Sequence, residues 1–138
     1  MAENIKLEIV TPEKSVVSEE AQIVMAPGTL GEFGVLVGHT PFMTSLKLGM
    51  VRYVDKGGKE RLVFVSGGFA EALPDRVTIL AESAERRKDI DIERAKAALA
   101  RAEERLAKEG DDTVDYTRAH AALARAILRI RMAESARV

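Results

Sequence analysis

The chain has 138 residues, of which 46% are hydrophobic and 4% aromatic, and its formal net charge is −1. This length suits one domain or a small domain with an appendage. The balanced charge disfavours a nucleic-acid-binding domain, which would be clearly basic. Without cysteine there are no disulfides or thiolate metal sites, and two histidines without a carboxylate cluster predict no metal site. No apolar leader or membrane-length apolar run occurs, so we expect a soluble, intracellular protein.

The first part of the chain alternates as short strands do. IKLEIV (residues 5–10) places apolar and charged residues in turn, which is the period of a half-buried strand. DRVTILAE (75–82) alternates through Val77 and Ile79 and, less regularly, Leu80. Nine of the ten glycines and all four prolines precede residue 76, so many turns join these strands. The pattern predicts a small antiparallel sandwich or barrel.

Glycines mark several turns in this part. MVRYV (50–54) and RLVFVS (61–66) flank Gly57-Gly58, a pair that suits the positive φ of a hairpin turn. In VSGGFAE (65–71), the glycine pair predicts a bulge or a tight approach between strands. PGTLGEFGVLVGHTP (27–41) has neither GxGxxG nor a P-loop lysine, so it predicts a protruding turn and no phosphate cradle.

The remainder of the chain shows the three-four spacing of two amphipathic helices. The two apolar stripes are Ile92, Ala95, Leu99, Ala102 and Leu106, and then Tyr116, Ala119, Leu123, Ala126, Ile130 and Ala133. Between them KEGDD (108–112) ends the first helix, with Gly110 suited to a left-handed C-cap. Asp112 or Thr113 is the predicted N-cap of the second helix. The short connection predicts an antiparallel helical hairpin.

The segment IDIERA opens the first helix at Ile90. Asp91 has the position of an N-cap, and Glu93 complements the helix dipole. Ile90 can form a weak hydrophobic staple toward Ala95. Arg94 fits none of these roles, because a positive charge in the first turn opposes the dipole.

Arginines recur on both helices with the spacing i, i+7, i+11. The six residues, named the arginine flank, are Arg94, Arg101, Arg105, Arg118, Arg125 and Arg129. Each set lies roughly 100° to one side of its apolar stripe and in the same rotational sense, so antiparallel packing brings the two sets together. Arginine's planar fork suits phosphate, so the flank indicates a phosphate or nucleotide site. The alternative is pairing with acids of the same helix, such as Arg101 with Glu104 or Arg118 with Asp115.

No nucleophile, metal site or acid–base pair stands out, so no catalytic residue is predicted. His39 has no serine or acid placed to form a relay with it. We therefore expect a protein that is not an enzyme.

Four motifs occur in order along nearly the whole chain. They are GEFGVLVGHTPFMTSLKLGMVR (31–52), VSGGFAE (65–71), VTILAESAE (77–85) and IDIERA (90–95). Together they resemble the epsilon subunit of bacterial F-type ATP synthases. The resemblance implies an α+β chain, with a ten-stranded antiparallel β-sandwich over residues 1–86 and an antiparallel two-helix hairpin over residues 87–138.

The resemblance implies a non-catalytic rotor subunit in the central stalk of a proton-translocating complex, peripheral to the cytoplasmic face of the bacterial cell membrane. Its partners would be the gamma subunit and the c-subunit ring, with no nucleic acid and no membrane contact outside the complex. In this family the GE[IL]G turn, which is Gly31, Glu32 and Phe33 in this sequence, touches the c-ring. The GHxP histidine, which is His39, lies near gamma. Phe33 replaces the usual small aliphatic residue, and Val37 replaces the usual proline.

The resemblance also implies that the hairpin regulates the complex. Extended toward the alpha and beta catalytic subunits, it would inhibit ATP hydrolysis, and ATP as a regulatory ligand would favour the compact state. No cofactor would be required. Matched to the family's motif, the ATP-binding residues would be Glu85, Ile90, Asp91, Arg94, Ala95, Arg101, Arg125 and Arg129. The alternative function is a free-standing nucleotide-binding sensor of the same architecture.

Overall fold

The computed structural model describes residues 4–108 and 110–135. The chain divides into two compact units, Met1–Arg86 and Arg87–Val138. The first unit contains the strands β1 Ile5–Val10, β2 Ser15–Gly28, β3 Gly31–Val35, β4 Phe42–Leu46, β5 Gly49–Asp55, β6 Glu60–Val65, β7 Gly68–Leu73, β8 Arg76–Ala81 and β9 Ala84–Arg86. The second contains a 3₁₀ turn, Arg87–Asp89, and the helices α1 Ile92–Leu106 and α2 Tyr116–Ser135. This order confirms the predicted α+β class.

The strands pair in the order β1-β8-β7-β4-β2-β5-β6-β9, with β3 on β2. A further pairing of β1 with β2 folds the sheet on itself. Pairings between described strands are antiparallel except that of β1 with β8, which is parallel. The described residues form nine strands, one fewer than the ten that the resemblance implies. The 14-residue β2 pairs with four strands and has the length of two ordinary ones.

Side-chain alternation determines the core of the sandwich. In the β1–β8 pair, Leu7 lies opposite Val77 and Ile9 opposite Ile79, and all four side chains are fully buried. Each such burial contributes about 1.5–3 kcal/mol. Leu80, which follows the same alternation less regularly in the sequence, is 57% exposed. It lies on the other face because successive residues of a strand point in opposite directions.

The glycine-marked turns are largely as predicted. β5 and β6 form a hairpin, and Gly58 at its turn has a φ of +88°. Gly68 has a φ of +140°, and a Cβ there would collide with the carbonyl oxygen of Leu80, which confirms the tight approach predicted in VSGGFAE. The protruding turn predicted over residues 27–41 is only partly correct, since β3 occupies its middle. The pairing of β3 with β2 satisfies the backbone groups of that segment.

The helices of the second unit pack against each other along predominantly alanine-lined stripes. The buried residues Ala95 and Ala102 of α1, and Ala119 and Ala126 of α2, all belong to the predicted stripes. Alanine allows close approach but removes little apolar area from water, at roughly 25 cal/mol per Å². The seam between the helices therefore contributes only modest stability.

The start of α2 differs from the prediction. The carboxylate of Asp115 accepts the backbone N–H of Arg118 at 3.0 Å, so Asp115 is the capping residue, and the assignment to Asp112 or Thr113 is wrong. The Asp111 carboxylate instead accepts the backbone N–H of Thr113 at 2.9 Å. Because of this local turn, the helix begins only at Tyr116. An Asp side chain that accepts a hydrogen bond from the backbone N–H two residues later competes with helical geometry.

Gly110 adopts the left-handed conformation that was predicted for it, with a φ of +72°. It does not cap α1, however, because the C-cap is Ala107 in a right-handed conformation. Gly110 therefore belongs to the connection between the helices.

A polar cluster holds the last strand of the sandwich. The Tyr53 hydroxyl donates to Glu19 Oε1 at 2.5 Å, and Arg86 Nη1 donates to the Tyr53 oxygen at 3.3 Å. Arg86 Nε also donates to the Val16 carbonyl at 3.0 Å. Burial of the ring, followed by the hydrogen bond to Glu19, raises the pKa of Tyr53 to about 12. We name Glu19, Tyr53 and Arg86 the anchor cluster.

The raised pKa of Tyr53 predicts alkaline sensitivity of the sandwich. The folded state holds the hydroxyl proton more tightly than the unfolded state, so this stabilisation is complete below the ordinary tyrosine pKa of 10.0 and is lost as the pH rises toward 12. Over that window we expect the free energy of unfolding to fall by about 2 kcal/mol more than in Tyr53→Phe. Urea unfolding at each pH measures the difference. Tyrosinate absorbance in a Tyr116→Phe background reports the Tyr53 pKa directly, and titration at its ordinary value would contradict the prediction.

Candidate functional site

The arginine flank lies along the helical unit. Because α1 and α2 pack through their apolar stripes, both sets of arginines border the same seam. The exposed members are Arg94, Arg101, Arg105 and Arg118, and the half-buried members are Arg125 and Arg129. Arg105 and Arg118 also line a cleft of about 380 Å³ at the connection between the helices, together with Lys108.

Carboxylates of the helices do not neutralise most of the flank. Within residues 4–108 and 110–135, the guanidinium groups of Arg94, Arg101 and Arg125 have no carboxylate oxygen within 4.0 Å. The Asp115 carboxylate accepts a backbone N–H and serves as a cap. Among the described residues, these three arginines therefore form no ion pair with an acid of their own helix. Their positive charge is available to an anion.

The predicted N-cap at the start of α1 is confirmed. Asp91 Oδ1 accepts the backbone N–H of Arg94 at 3.0 Å, while Asp91 itself has the extended conformation of a capping residue. Ile90 and Ala95 are buried, which fixes the first turn. The Arg94 side chain is exposed. The first turn of a helix also has backbone N–H groups without an intrahelical partner, and such groups favour a phosphate.

Glu85, the other predicted nucleotide ligand, belongs to the sandwich unit. It lies on β9 opposite Phe64 of β6 and is half-buried. Its role toward ATP stays a prediction.

The turn predicted to contact the c-ring is held by an ion pair. Gly31 has a φ of +133°, which a side chain would strain, and it follows Leu30, whose side chain is 99% exposed. Arg52 Nη2 donates to Glu32 at 3.2 Å, linking the turn to β5. The turn therefore presents a fixed carboxylate next to an exposed apolar tip.

Three rings pack together near the start of β4. Phe33 and Phe42 meet edge to face, with centroids 5.1 Å apart, and His39 lies 4.9 Å from Phe42. The His39 Nδ1 and the Thr40 carbonyl are 2.6 Å apart, so a protonated Nδ1 donates to that carbonyl. Phe33 thus serves in packing, whereas His39 is held at the edge of the sandwich.

An exposed apolar surface on β4, β7 and β8 was not predicted as a site. Met43 is 70% exposed, and Phe69 and Leu80 are each 57% exposed. Phe69 lies directly opposite both Ser45 and Leu80, so these side chains share the face that carries Met43. We name Met43, Phe69 and Leu80 the outer apolar face. The irregular alternation at Leu80 was the signal in the sequence.

Two other kinds of site do not occur in the described part of the chain. No group of three or more His, Asp or Glu residues there could hold a metal ion. None of the described helices has both the length and the apolar character needed to cross a membrane.

The described chain thus has two parts, a sandwich with an exposed apolar face and a helical unit in which Arg94, Arg101 and Arg125 have no carboxylate within 4.0 Å. Family models match both parts. Residues 4–87 match the ATP synthase delta/epsilon chain β-sandwich domain, and residues 88–134 match the long α-helix domain of the same chain. The chain therefore belongs to the delta/epsilon chain family of ATP synthases, which confirms the resemblance found in the sequence.

Two curated relatives are similar over most or nearly all of the chain. An ATP synthase epsilon chain of Desulforapulum autotrophicum is 64% identical over 135 residues, covering 98% of this chain and 99% of its own. That of Desulfosudis oleivorans is 70% identical over 106 residues, covering 77% and 80%. Among solved structures, a chain of the Euglena gracilis mitochondrial ATP synthase, determined with OSCP, F1 and c-ring, has a TM-score of 0.75 at 25% identity. The match covers 99% of this chain and 82% of that chain.

Proposed function

We propose that this protein is a non-catalytic rotor subunit in the central stalk of a proton-translocating F-type ATP synthase, where it helps couple proton transport to ATP synthesis. The observation that carries the proposal is the family match across both units, with a curated epsilon chain 64% identical over 98% of this chain. In the complex the protein would lie at the cytoplasmic face of the bacterial membrane and would reach the membrane only through its partners.

The gamma subunit is the partner that we assign to the outer apolar face. Exposed apolar side chains on three adjacent strands support this, because such a contiguous patch marks an interaction surface. His39 lies in the segment that enters β4 and packs on Phe42, one residue before Met43.

The c-ring is the partner that we assign to the turn of Gly31, Glu32 and Phe33. The ion pair from Arg52 and the exposed Leu30 support this assignment. The similar chain of Euglena gracilis comes from an assembly that includes a c-ring, which also supports it.

The hairpin is the part to which we assign regulation. Extended toward the alpha and beta subunits, it would restrain ATP hydrolysis, and ATP bound at the arginine flank would favour the compact state. An alanine-lined seam supports this, because a weakly stabilised state is easily biased. ATP at ten times its dissociation constant would stabilise the binding state by about 1.4 kcal/mol, which shifts the two populations about tenfold. ATP is then a regulatory ligand and not a substrate.

Replacing Phe69 with glutamate is expected to weaken binding to the gamma subunit by more than about tenfold, since a charge would be buried at the centre of the contact. Co-purification and surface plasmon resonance with the cognate gamma subunit measure the loss. Lys59→Glu, an exposed change in the β5–β6 turn, is the control and should bind like the parent.

The same measurement distinguishes the second candidate function, a free-standing nucleotide sensor. A sensor would bind ATP through its arginines and would form no stable complex with gamma. Parent protein that does not co-purify with gamma would overturn the rotor assignment. Unchanged gamma binding by Phe69→Glu would contradict only the assignment of the gamma contact to the outer apolar face.

A further inference from the structure

The side chain of Arg52 reaches across a strand to the carboxylate of Glu32. Strand β2 pairs with β3 along one edge and with β5 along the other, so that Pro27 lies opposite Glu32 and Met25 lies opposite Arg52. Met25 and Pro27 are two residues apart and therefore face the same side of the sheet. On that side, the Arg52 guanidinium contacts the Met25 sulfur and ends at Glu32.

One nitrogen of Arg52 bonds to both oxygens of Glu32. Nη2 donates to Oε1 at 3.2 Å and to Oε2 at 3.3 Å, and it lies 3.7 Å from the sulfur of Met25. Because the two oxygens share one donor, the rotation of the carboxylate is restricted. A carboxylate has about four acceptor positions, so each oxygen can still accept a hydrogen bond from another molecule.

The orientation of Arg52 leaves another of its donors without a bond. Nε is buried and has no hydrogen-bond partner among the described residues. A buried N–H without an acceptor costs free energy, and the Arg52 side chain is 36% exposed, so a different rotamer could turn the guanidinium toward water. The contacts of Nη2 with Glu32 and Met25 are what stabilise the observed orientation.

The backbone of this turn is held without Arg52. The Thr29 N–H donates to the Ser45 carbonyl at 3.0 Å, and the hydroxyls of these two residues are 2.7 Å apart. The pairing of β3 with β2 extends from Gly31 to Val35. The Glu32 side chain, by contrast, is 48% exposed. Loss of the Arg52 guanidinium would therefore release the Glu32 carboxylate and leave the turn in place.

We propose that Arg52 is a positioning residue for Glu32, whose carboxylate it holds in the orientation that accepts a hydrogen bond from a donor on the c-ring. The inference rests on the proposed contact of the turn of Gly31, Glu32 and Phe33 with the c-ring. A side chain that is ordered before binding loses less conformational entropy in the complex, which strengthens binding. An exposed ion pair contributes little to folding, so Arg52 acts mainly on binding.

The test measures binding of the complex of gamma and this full chain to the cognate c-ring in nanodiscs, by biolayer interferometry. Gamma alone gives the baseline. The variants are Arg52→Gln, Glu32→Ala and the double variant. Arg61→Gln is the matched control, because it breaks the 3.1 Å ion pair of Arg61 with Asp55 on the same sheet without touching Glu32.

Arg52→Gln is expected to weaken ring binding by about threefold to tenfold, and Glu32→Ala by at least as much. The double variant should bind like Glu32→Ala alone, because Arg52 has no effect once the carboxylate that it positions is absent. A structural role would weaken binding with or without Glu32. Arg61→Gln should bind like the parent, and every variant should co-purify with gamma and unfold at the parent temperature.

The double variant also separates this inference from the proposed function. If Glu32→Ala weakens ring binding and Arg52→Gln does not, the turn contact stands and the inference is wrong. Further weakening by Arg52→Gln in the Glu32→Ala background would also overturn it, since Arg52 would then act without Glu32. If Glu32→Ala binds like the parent, or the parent complex binds no more tightly than gamma alone, the assignment of the turn to the c-ring fails, and the inference fails with it.

Discussion

Alanine at Arg94 or at Arg125 is expected to weaken ATP binding by about tenfold to hundredfold, because each guanidinium would lose a charge-assisted hydrogen bond of roughly 1.5–3 kcal/mol. Neither side chain has a carboxylate within 4.0 Å among the described residues, so truncation removes charge from the flank without orphaning an acid there. Isothermal titration calorimetry of the full chain measures the dissociation constants. The double variant should lose more than either single variant.

Arg131→Ala is the matched control for these changes. Arg131 is an exposed arginine on α2 but lies outside the arginine flank, since two residues of helix turn it about 200° away from Arg129. It removes the same charge from the same helix and should bind ATP like the parent. Equal weakening by Arg131→Ala and Arg125→Ala would show a general charge effect and no site. Parent-like binding by Arg94→Ala and Arg125→Ala would show that the site is elsewhere.

Ending the chain after residue 86 is expected to raise ATP hydrolysis by the cognate complex at low ATP concentration. The cut leaves the sandwich unit whole, since the unit boundary follows Arg86. If the hairpin holds nine complexes in ten in an inhibited state, its removal gives about a tenfold increase, by the arithmetic of a two-state population. Steady-state ATPase assays of complexes reconstituted with either chain measure the change.

The ATP dependence of the full-length complex is the internal control. High ATP should relieve the inhibition of the full chain and bring the two complexes to similar rates, whereas the truncated chain should show no such relief. The truncated chain must also co-purify with gamma in the parent proportion, because loss of the subunit would mimic loss of the hairpin. Unchanged hydrolysis at low ATP would show that this hairpin is not an inhibitor.

Strands and helices with a clear period could be predicted from the sequence alone. β1 is Ile5–Val10, as the alternation of IKLEIV predicts, and α1 begins after its Asp91 cap. Both patterns depend on residues that are close together in the sequence, so the local sequence is sufficient to predict the strand and the helix. The arginine flank follows from spacing in the same way, because helical geometry converts spacing into direction.

Features that depend on distant partners were missed or misjudged. β3 was predicted as part of a turn because its glycines obscure the strand pattern, and only pairing with β2 makes it a strand. The cap of α2 was predicted too early in the chain. The backbone N–H and the hydroxyl of Thr113 both donate to the Asp111 carboxylate, so these residues form a local turn and do not begin the helix. The outer apolar face requires β4 to lie beside β7, and that adjacency does not follow from the order of the strands in the chain.

The sequence by itself determined the division into strands and helices, the family, and the arginines that line one flank of the hairpin. Periodicity and motif order are properties of the sequence, and neither depends on tertiary contacts. Only the tertiary structure decided which apolar residues remain exposed and which polar groups meet. Tyr53 is 34 residues from Glu19 and 33 from Arg86 in the sequence, yet the three form one hydrogen-bonded cluster. Strand pairing across the sheet creates that contact, and no spacing rule relates residues on strands that are neighbours only after folding.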